Sequence, residues 1–288
     1  MIRRDATLAD GSPAWLLVSQ VEHARISGEL AAAALPELLL GLGGDEAAQA
    51  AAQTSEFAAI RKQMLAAIRR HDDGWRGWIE DPQLDPEHGR PYSFTEMPAG
   101  DALRIWSGSI AAAAEEGPLA AWMVGGHFRR LLDHSETLGH QPLADLWRAT
   151  QDRARDLYLD EWKFAAPRTH TDAVAEHALE ALWIFDAISL WFCCGCPGGD
   201  AAAPTEEAFA CGPFHIGAGT TLETTLRLAP PTGGHGAAID DPWIFTPPAI
   251  ELQTPAMLVP AKRYQSTAEL VAAYEPTTLR WTLRRQSH

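Results

Sequence analysis

The chain has 288 residues, 46% of them hydrophobic, which is enough to bury the core of one enzyme-sized unit. It carries 23 basic against 38 acidic residues, a formal charge of −15, and its only lysines are Lys62, Lys163 and Lys262. With no basic run, this balance speaks against nucleic acid and anionic membrane surfaces as partners. The apolar run at Leu16–Val18 is too short for a signal peptide and no later stretch reads as a bilayer span, so a cytoplasmic protein is expected.

The first predicted element is a short strand over Trp15–Val18. Ser19 and Glu22 then stand at capping-box spacing and predict a helix start, with His23 in its first turns on the side of Ile26 and Leu30. Leu30–Glu56 is rich in Ala and Gly, with a break expected near Gly41–Asp45. In residues 54–72, Phe57, Ile60, Met64 and Ile68 recur at three- and four-residue steps, and His71 is the next member of that stripe. His71-Asp72-Asp73-Gly74-Trp75 therefore aims ionisable groups at a core, where unpaired burial costs several kcal/mol. Two readings stay open: a helix-terminal His beside the dipole with a capping Asp, or a pair of metal ligands.

Residues 73–100 follow without periodicity. A loop this long inside a compact unit reads as a lid or binding segment, and Trp75, Trp78 and Arg90 suit stacking and anion contact. Helices are predicted at about 101–115, 118–134, 142–164 and 171–194. His127 shares an apolar ladder with Leu119, Met123 and Leu131, and Asp186 lies on the face of Leu179, Leu182 and Leu190. A lone core His is ordinarily hydrogen-bonded, and a lone core Asp is ordinarily paired with Arg. Four such sites on separate helices are also what a bundle needs to hold a metal between them. His177 is nine residues before Asp186 and points ~180° away on a straight helix. His134 is two turns beyond His127, too far to share its metal but able to meet substrate. His88 and His140 fall in loops.

After Pro197 the period becomes two: Leu222, Thr224, Leu226, Leu228 and then Leu279, Trp281, Leu283 alternate as in antiparallel strands. Helices first and strands last predict an α+β chain, mainly α, divided into a helical bundle domain over 1–196 and a β-rich extension over 197–288. That extension is expected to be an antiparallel β-meander that caps the helical core or forms a dimer edge, so a homodimer is left open. Cys193, Cys194, Cys196 and Cys211 lack standard zinc spacing, even with His215 added, and read as small buried hydrophobes. No GxSxG, Walker, GxGxxG or HExxH pattern is present.

His, then His-Asp, then a late helical Asp resembles the HD-domain superfamily. The segments QVEHARISG, HDDGW, GRPYSF and FDAISLWFCC closely resemble an uncharacterised bacterial branch, the domain-of-unknown-function family 3891. The resemblance implies an HD-like helical core with one or two divalent metal ions: iron, manganese, nickel or zinc. By motif match it assigns His23, His71, Asp72 and Asp186 as ligands, with His127 in one of the two extra positions of dinuclear members. The implied activity is metal-dependent hydrolysis of a small phosphate ester or other anionic metabolite. Arg90, Trp75, Trp78 and His134 would contact substrate, and Asp73 or Glu96 would be the general base. A di-iron oxygenase of the inositol-oxygenase type is the alternative, and a degenerate HD fold acting as a binding or oligomer module is a third reading.

Overall fold

The computed structural model describes residues 1–40, 54–135, 141–198, 208–215 and 221–286. The expected break near Gly41–Asp45 lies outside these residues, as does His140. Two strands open the chain, β1 (Ile2–Thr7) and β2 (Pro13–Val18). Helices α1 (Gln20–Ala33), α2 (Pro36–Leu39) and α3 (Ser55–Arg70) follow. A 3-10 turn at Asp73–Trp75 leads into α4 (Arg76–Glu80), and a second at Phe94–Glu96 leads into α5 (Ala99–Ala114), α6 (Pro118–His134), α7 (Pro142–Ala165) and α8 (Asp172–Cys194). Strands β3 (Ala208–His215), β4 (Thr221–Thr232), β5 (His235–Asp241) and β6 (Ala249–Pro260), helix α9 (Thr267–Ala272) and strand β7 (Glu275–Arg285) complete it.

The helix ends follow local chemistry. Ser19 caps α1 by accepting from the Val21 amide, Thr54 caps α3 through the Phe57 amide and Thr171 caps α8 through the Val174 amide. Prolines occupy the first position of α6 and α7, where a missing N–H is harmless. Glu22 pairs with Arg25 and Glu29 with the same guanidinium, along the outer face of α1.

The expected architecture needs correction. Among the described residues the strands form one seven-stranded mixed sheet in the order β1-β2-β6-β7-β5-β4-β3, not a small C-terminal meander appended to a helical bundle. Its pairs are antiparallel except β5–β7, which is parallel. The N-terminal strands supply one end of the sheet: β1 pairs with β2, and β2 with β6 through Ala14↔Pro260 to Val18↔Ala256. The physical reason is non-local pairing. Helices first and strands last describes the order along the chain, but a ladder joins residues more than two hundred positions apart as readily as neighbours.

One apolar core runs through helices and sheet. It contains Ile68 of α3, Phe128 of α6, Phe185 and Phe192 of α8, and Leu279, Trp281 and Leu283 of β7. Phe192 lies 5.4 Å from Trp281, whose indole N–H donates to the Cys196 carbonyl. Arg4 of β1 donates to the carbonyls of Phe192, Cys193 and Cys196, closing the C-terminal end of α8 where orphan carbonyls need partners. α8 is also the one described helix as long and apolar as a membrane span, and most of it is buried inside the protein. Cys193, Cys196 and Cys211 are buried free thiols and Cys194 is exposed. Among the described residues no candidate metal group includes a cysteine.

Candidate metal centre

Four helical segments deliver five ionisable side chains to one point in this core. His23 comes from α1, His71 and Asp72 from the end of α3, His127 from α6 and Asp186 from α8. All five are buried, with relative exposures between 1% and 7%, which for ionisable groups demands compensation. His23 Nε2 lies 3.0 Å and His71 Nε2 3.1 Å from the same Asp186 Oδ1. Asp72 Oδ2 lies 3.6 Å from the first and 3.7 Å from the second. His127 Nε2 approaches Asp186 Oδ2 at 4.0 Å. Two overlapping triads, His23–His71–Asp72 and His71–His127–Asp186, each have their ligand atoms within 4.8 Å of one another.

The far side of each ring decides what the near side offers. His71 Nδ1 lies 2.8 Å from the Ile68 carbonyl, so it carries the proton. His23 Nδ1 lies 2.6 Å from Ser189 Oγ, whose own hydroxyl donates to the Asp186 carbonyl. Both Nε2 lone pairs therefore face each other at 3.3 Å and face one carboxylate oxygen. Acceptors do not attract acceptors. The arrangement is stable only with positive charge between them, supplied by protons or by a cation. Two imidazoles and two carboxylates suit divalent iron, manganese, nickel or zinc, and fixing the outer nitrogen is how metal-binding histidines are oriented.

The electrostatics agree with that demand. Burial disfavours the charged His71, but Asp72 and Asp186 outweigh it and push its pKa up to about 9. Burial raises Asp72, with His71 and His23 partly offsetting it. Burial also works against the Asp186 anion, yet the hydrogen bonds with His23 and His71 hold its carboxyl well below the usual range. His127 is pushed down to about 3 by burial, so it is a neutral imidazole and its contact with Asp186 is not an ion pair. Its Nδ1 is buried without a hydrogen-bond partner.

The other candidate residues are not among the grouped ligand side chains. Asp73 is held between Arg70, 2.7 Å from its Oδ2, and Arg76, 2.7 Å from its Oδ1. Glu96 receives Arg3 and Arg90 at 2.8 and 2.9 Å; burial works against its charge, but the Arg3 hydrogen bond and the Ser93 amide lower its pKa. Arg90 is thus tied within its own loop to Glu96, with Asp85 3.8 Å from its Nε. Trp75 and Trp78 are buried, 6.3 Å apart and edge to face, and anchor the segment. His134 is exposed and bound to the Arg130 carbonyl. His177 turns away, as its spacing predicts, and meets the carbonyls of Leu38 and Leu39. His88 pairs with Asp85. Ser27 and Ser189 were not singled out by the sequence reading; both are fully buried and bridged at 2.7 Å. Their signal was available, since Ser27 is one turn after His23 and Ser189 three residues after Asp186.

No curated protein and no solved structure matches the chain. A family model described as a protein of unknown function, DUF3891, matches residues 1–261, a span that holds all five clustered residues and six of the seven strands. The chain belongs to the DUF3891 family.

Proposed function

We propose that His23, His71, Asp72 and Asp186 bind a divalent metal ion, that His127 completes its surroundings, and that the protein is an HD-like metal-dependent hydrolase of small anionic molecules, phosphate esters above all. One observation carries the reading: two imidazole Nε2 atoms, each on a ring whose outer nitrogen is already committed, converge on a single carboxylate oxygen at 3.0 and 3.1 Å. The order His23, His71-Asp72, Asp186 also resembles the HD-domain superfamily. A bound divalent ion would supply Lewis acidity and lower the pKa of a water on it. The chain's residues hold the donors: Ile68 and Ser189 fix the ring tautomers, and the apolar neighbours Ile68 and Phe128 keep bulk water out.

The di-iron oxygenase reading needs more ligands. Among the described residues no further histidine joins His127 at the cluster, so a single ion is the reading the donor set favours. Metal analysis of protein purified without chelator tests both. About one manganese, nickel, zinc or iron per chain, lost in His71→Ala, is expected. Two irons per chain would favour the oxygenase, and protein that neither retains nor takes up metal would leave a binding or oligomer module.

A further inference from the structure

Helix α7 is held to the rest of the chain along one side. Its inward face carries Ala144, Trp147 and Trp162, all buried, and Arg155, whose guanidinium lies 4.5 Å over the Trp122 ring of α6 and donates to the Trp122 carbonyl. The outward face breaks the usual pattern of a surface helix. Four of the seven large apolar side chains exposed among the described residues are on this one helix: Leu143 at 50%, Leu146 at 67%, Leu157 at 64% and Phe164 at 88%. They fall on a seven-residue repeat. Leu143, Thr150, Leu157 and Phe164 stand at its first position and Leu146, Arg153 and Asp160 at its fourth, all of them exposed. A stripe with this period over three heptads is the seam along which one helix packs on another. A single exposed leucine needs no explanation, but an apolar row rimmed by charge marks an interaction site.

We propose that the outward face of α7 is a homodimer interface, where the helix packs antiparallel on α7 of a second copy about a twofold axis. Self-complementarity identifies the occupant. In an antiparallel pair the first position of one repeat meets the fourth of the other, and the twofold makes every such pair twice. With Leu157 opposite the partner's Arg153, Leu146 falls opposite the partner's Phe164 and Thr150 opposite the partner's Asp160. Arg153 then comes within reach of the partner's Asp156 and Asp160. Within the single chain none of these three makes a hydrogen bond or ion pair among the described residues. Sliding the partner by one heptad sets Phe164 against the partner's Arg153 in one direction and beyond the start of the partner's helix in the other, so both neighbouring registers lose an apolar layer. Asp145, Asp152 and Glu161 flank the stripe, which makes anionic lipid and nucleic acid poor occupants. None of the five clustered residues lies on α7, so the pairing does not depend on the metal.

Analytical ultracentrifugation of the full chain over a concentration series tests the proposal. A monomer–dimer equilibrium is expected, mostly dimer at tens of micromolar. Leu157→Glu and Phe164→Glu should each give a monomer with the far-UV circular dichroism of the wild type, since both side chains are exposed in the single chain. Val271→Glu, at an exposed apolar residue on α9, should leave the dimer intact. Arg153→Glu sets like charges against each other and should weaken association about tenfold or more. Adding Asp156→Arg and Asp160→Arg to the same chain restores opposite charges across the pair and should recover the dimer. A wild-type chain that stays monomeric, a dimer that survives both Leu157→Glu and Phe164→Glu, or a loss in Arg153→Glu that the charge swap does not recover would overturn the proposal.

Discussion

Ser189 shows how little of a buried polar site is carried by the ionisable groups alone. Its Oγ accepts from His23 Nδ1 and donates to the Asp186 carbonyl, so one hydroxyl sets the tautomer of one candidate ligand and ties it to the helix of another. Ser189→Ala removes that acceptor and leaves the His23 ring free to present either nitrogen. Metal affinity is expected to fall about 10- to 100-fold, measured by competition with a chromophoric chelator. A lower melting temperature with unchanged affinity would make Ser189 a packing residue only. Gly74 is a second single-residue constraint. A Cβ there would stand 1.9 Å from the Ile105 carbonyl oxygen and 2.7 Å from the Ser109 amide, both backbone atoms of α5 that no rotamer change can move. Gly74→Ala is expected to destabilise by about 3 kcal/mol in urea denaturation. Gly77, whose Cβ would meet nothing within 4 Å, tolerates the same change inside α4 and gains up to about 1 kcal/mol from helix propensity. The five clustered residues were legible as residues because apolar ladders carry phase. His71 and His127 continue stripes of Ile, Leu and Met, and a stripe points inward. The partners of Asp73, Glu96 and Arg90 were not legible, since pairing inside an aperiodic loop leaves no period to read.

At the scale of elements, the long helices α3 and α5 to α8 were legible to within about two residues, whereas the short α2, α4 and α9, the second of them inside the segment expected to be an aperiodic loop, were not. The expected 118–134 is Pro118–His134 and the expected 142–164 is Pro142–Ala165. Proline at the first position and a continuous apolar stripe are local signals. β1 had none: Ile2, Arg3, Arg4, Asp5, Ala6 and Thr7 mix polar and apolar residues on a partly buried edge. Its pairing is legible only through β2 and, beyond that, β6. The sheet also carries a buried ionisable group that its pattern conceals. Asp240 of β5 is fully buried, accepts a hydrogen bond from the Thr224 hydroxyl, and leaves Oδ2 without a partner. Burial pushes its pKa up to about 7, with the Thr224 bond opposing. The folded chain therefore holds a proton that the unfolded chain releases near pH 4. Asp240's contribution to stability is complete below that ordinary value and is lost as pH rises through about 7. Asp240→Asn keeps the neutral shape and should remove this dependence. Urea midpoints at pH 5 and pH 8 should diverge less in the variant than in the wild type, and equal slopes would mean that Asp240 stays ionised in the fold.

At the scale of the molecule, one question is whether the helical part is a unit that the sheet merely covers. The contacts argue against it. β2, encoded before the first helix, takes its second neighbour from β6, and the end of α8 is closed jointly by Arg4 of β1 and Trp281 of β7. A chain cut after Cys196 keeps every clustered histidine and aspartate but strips β6 from β2, exposing a strand edge. It also removes Trp281 and Leu283 from the core shared with Phe192. Burying side chains of that size stabilises by about 1.5–3 kcal/mol each, and a typical domain has only about 5–15 kcal/mol in reserve. Residues 1–196 alone are therefore expected to aggregate or to melt without a cooperative transition. Calorimetry of that fragment decides the matter. A sharp, reversible transition near that of the full chain would show that helices and β2 fold without the C-terminal strands. The sheet would then be an attachment, and the histidine cluster would have its scaffold in the helices alone. Loss of the transition, recovered when residues 197–288 are supplied as a second chain, would show that the cluster is held in place by strands from both ends of the sequence.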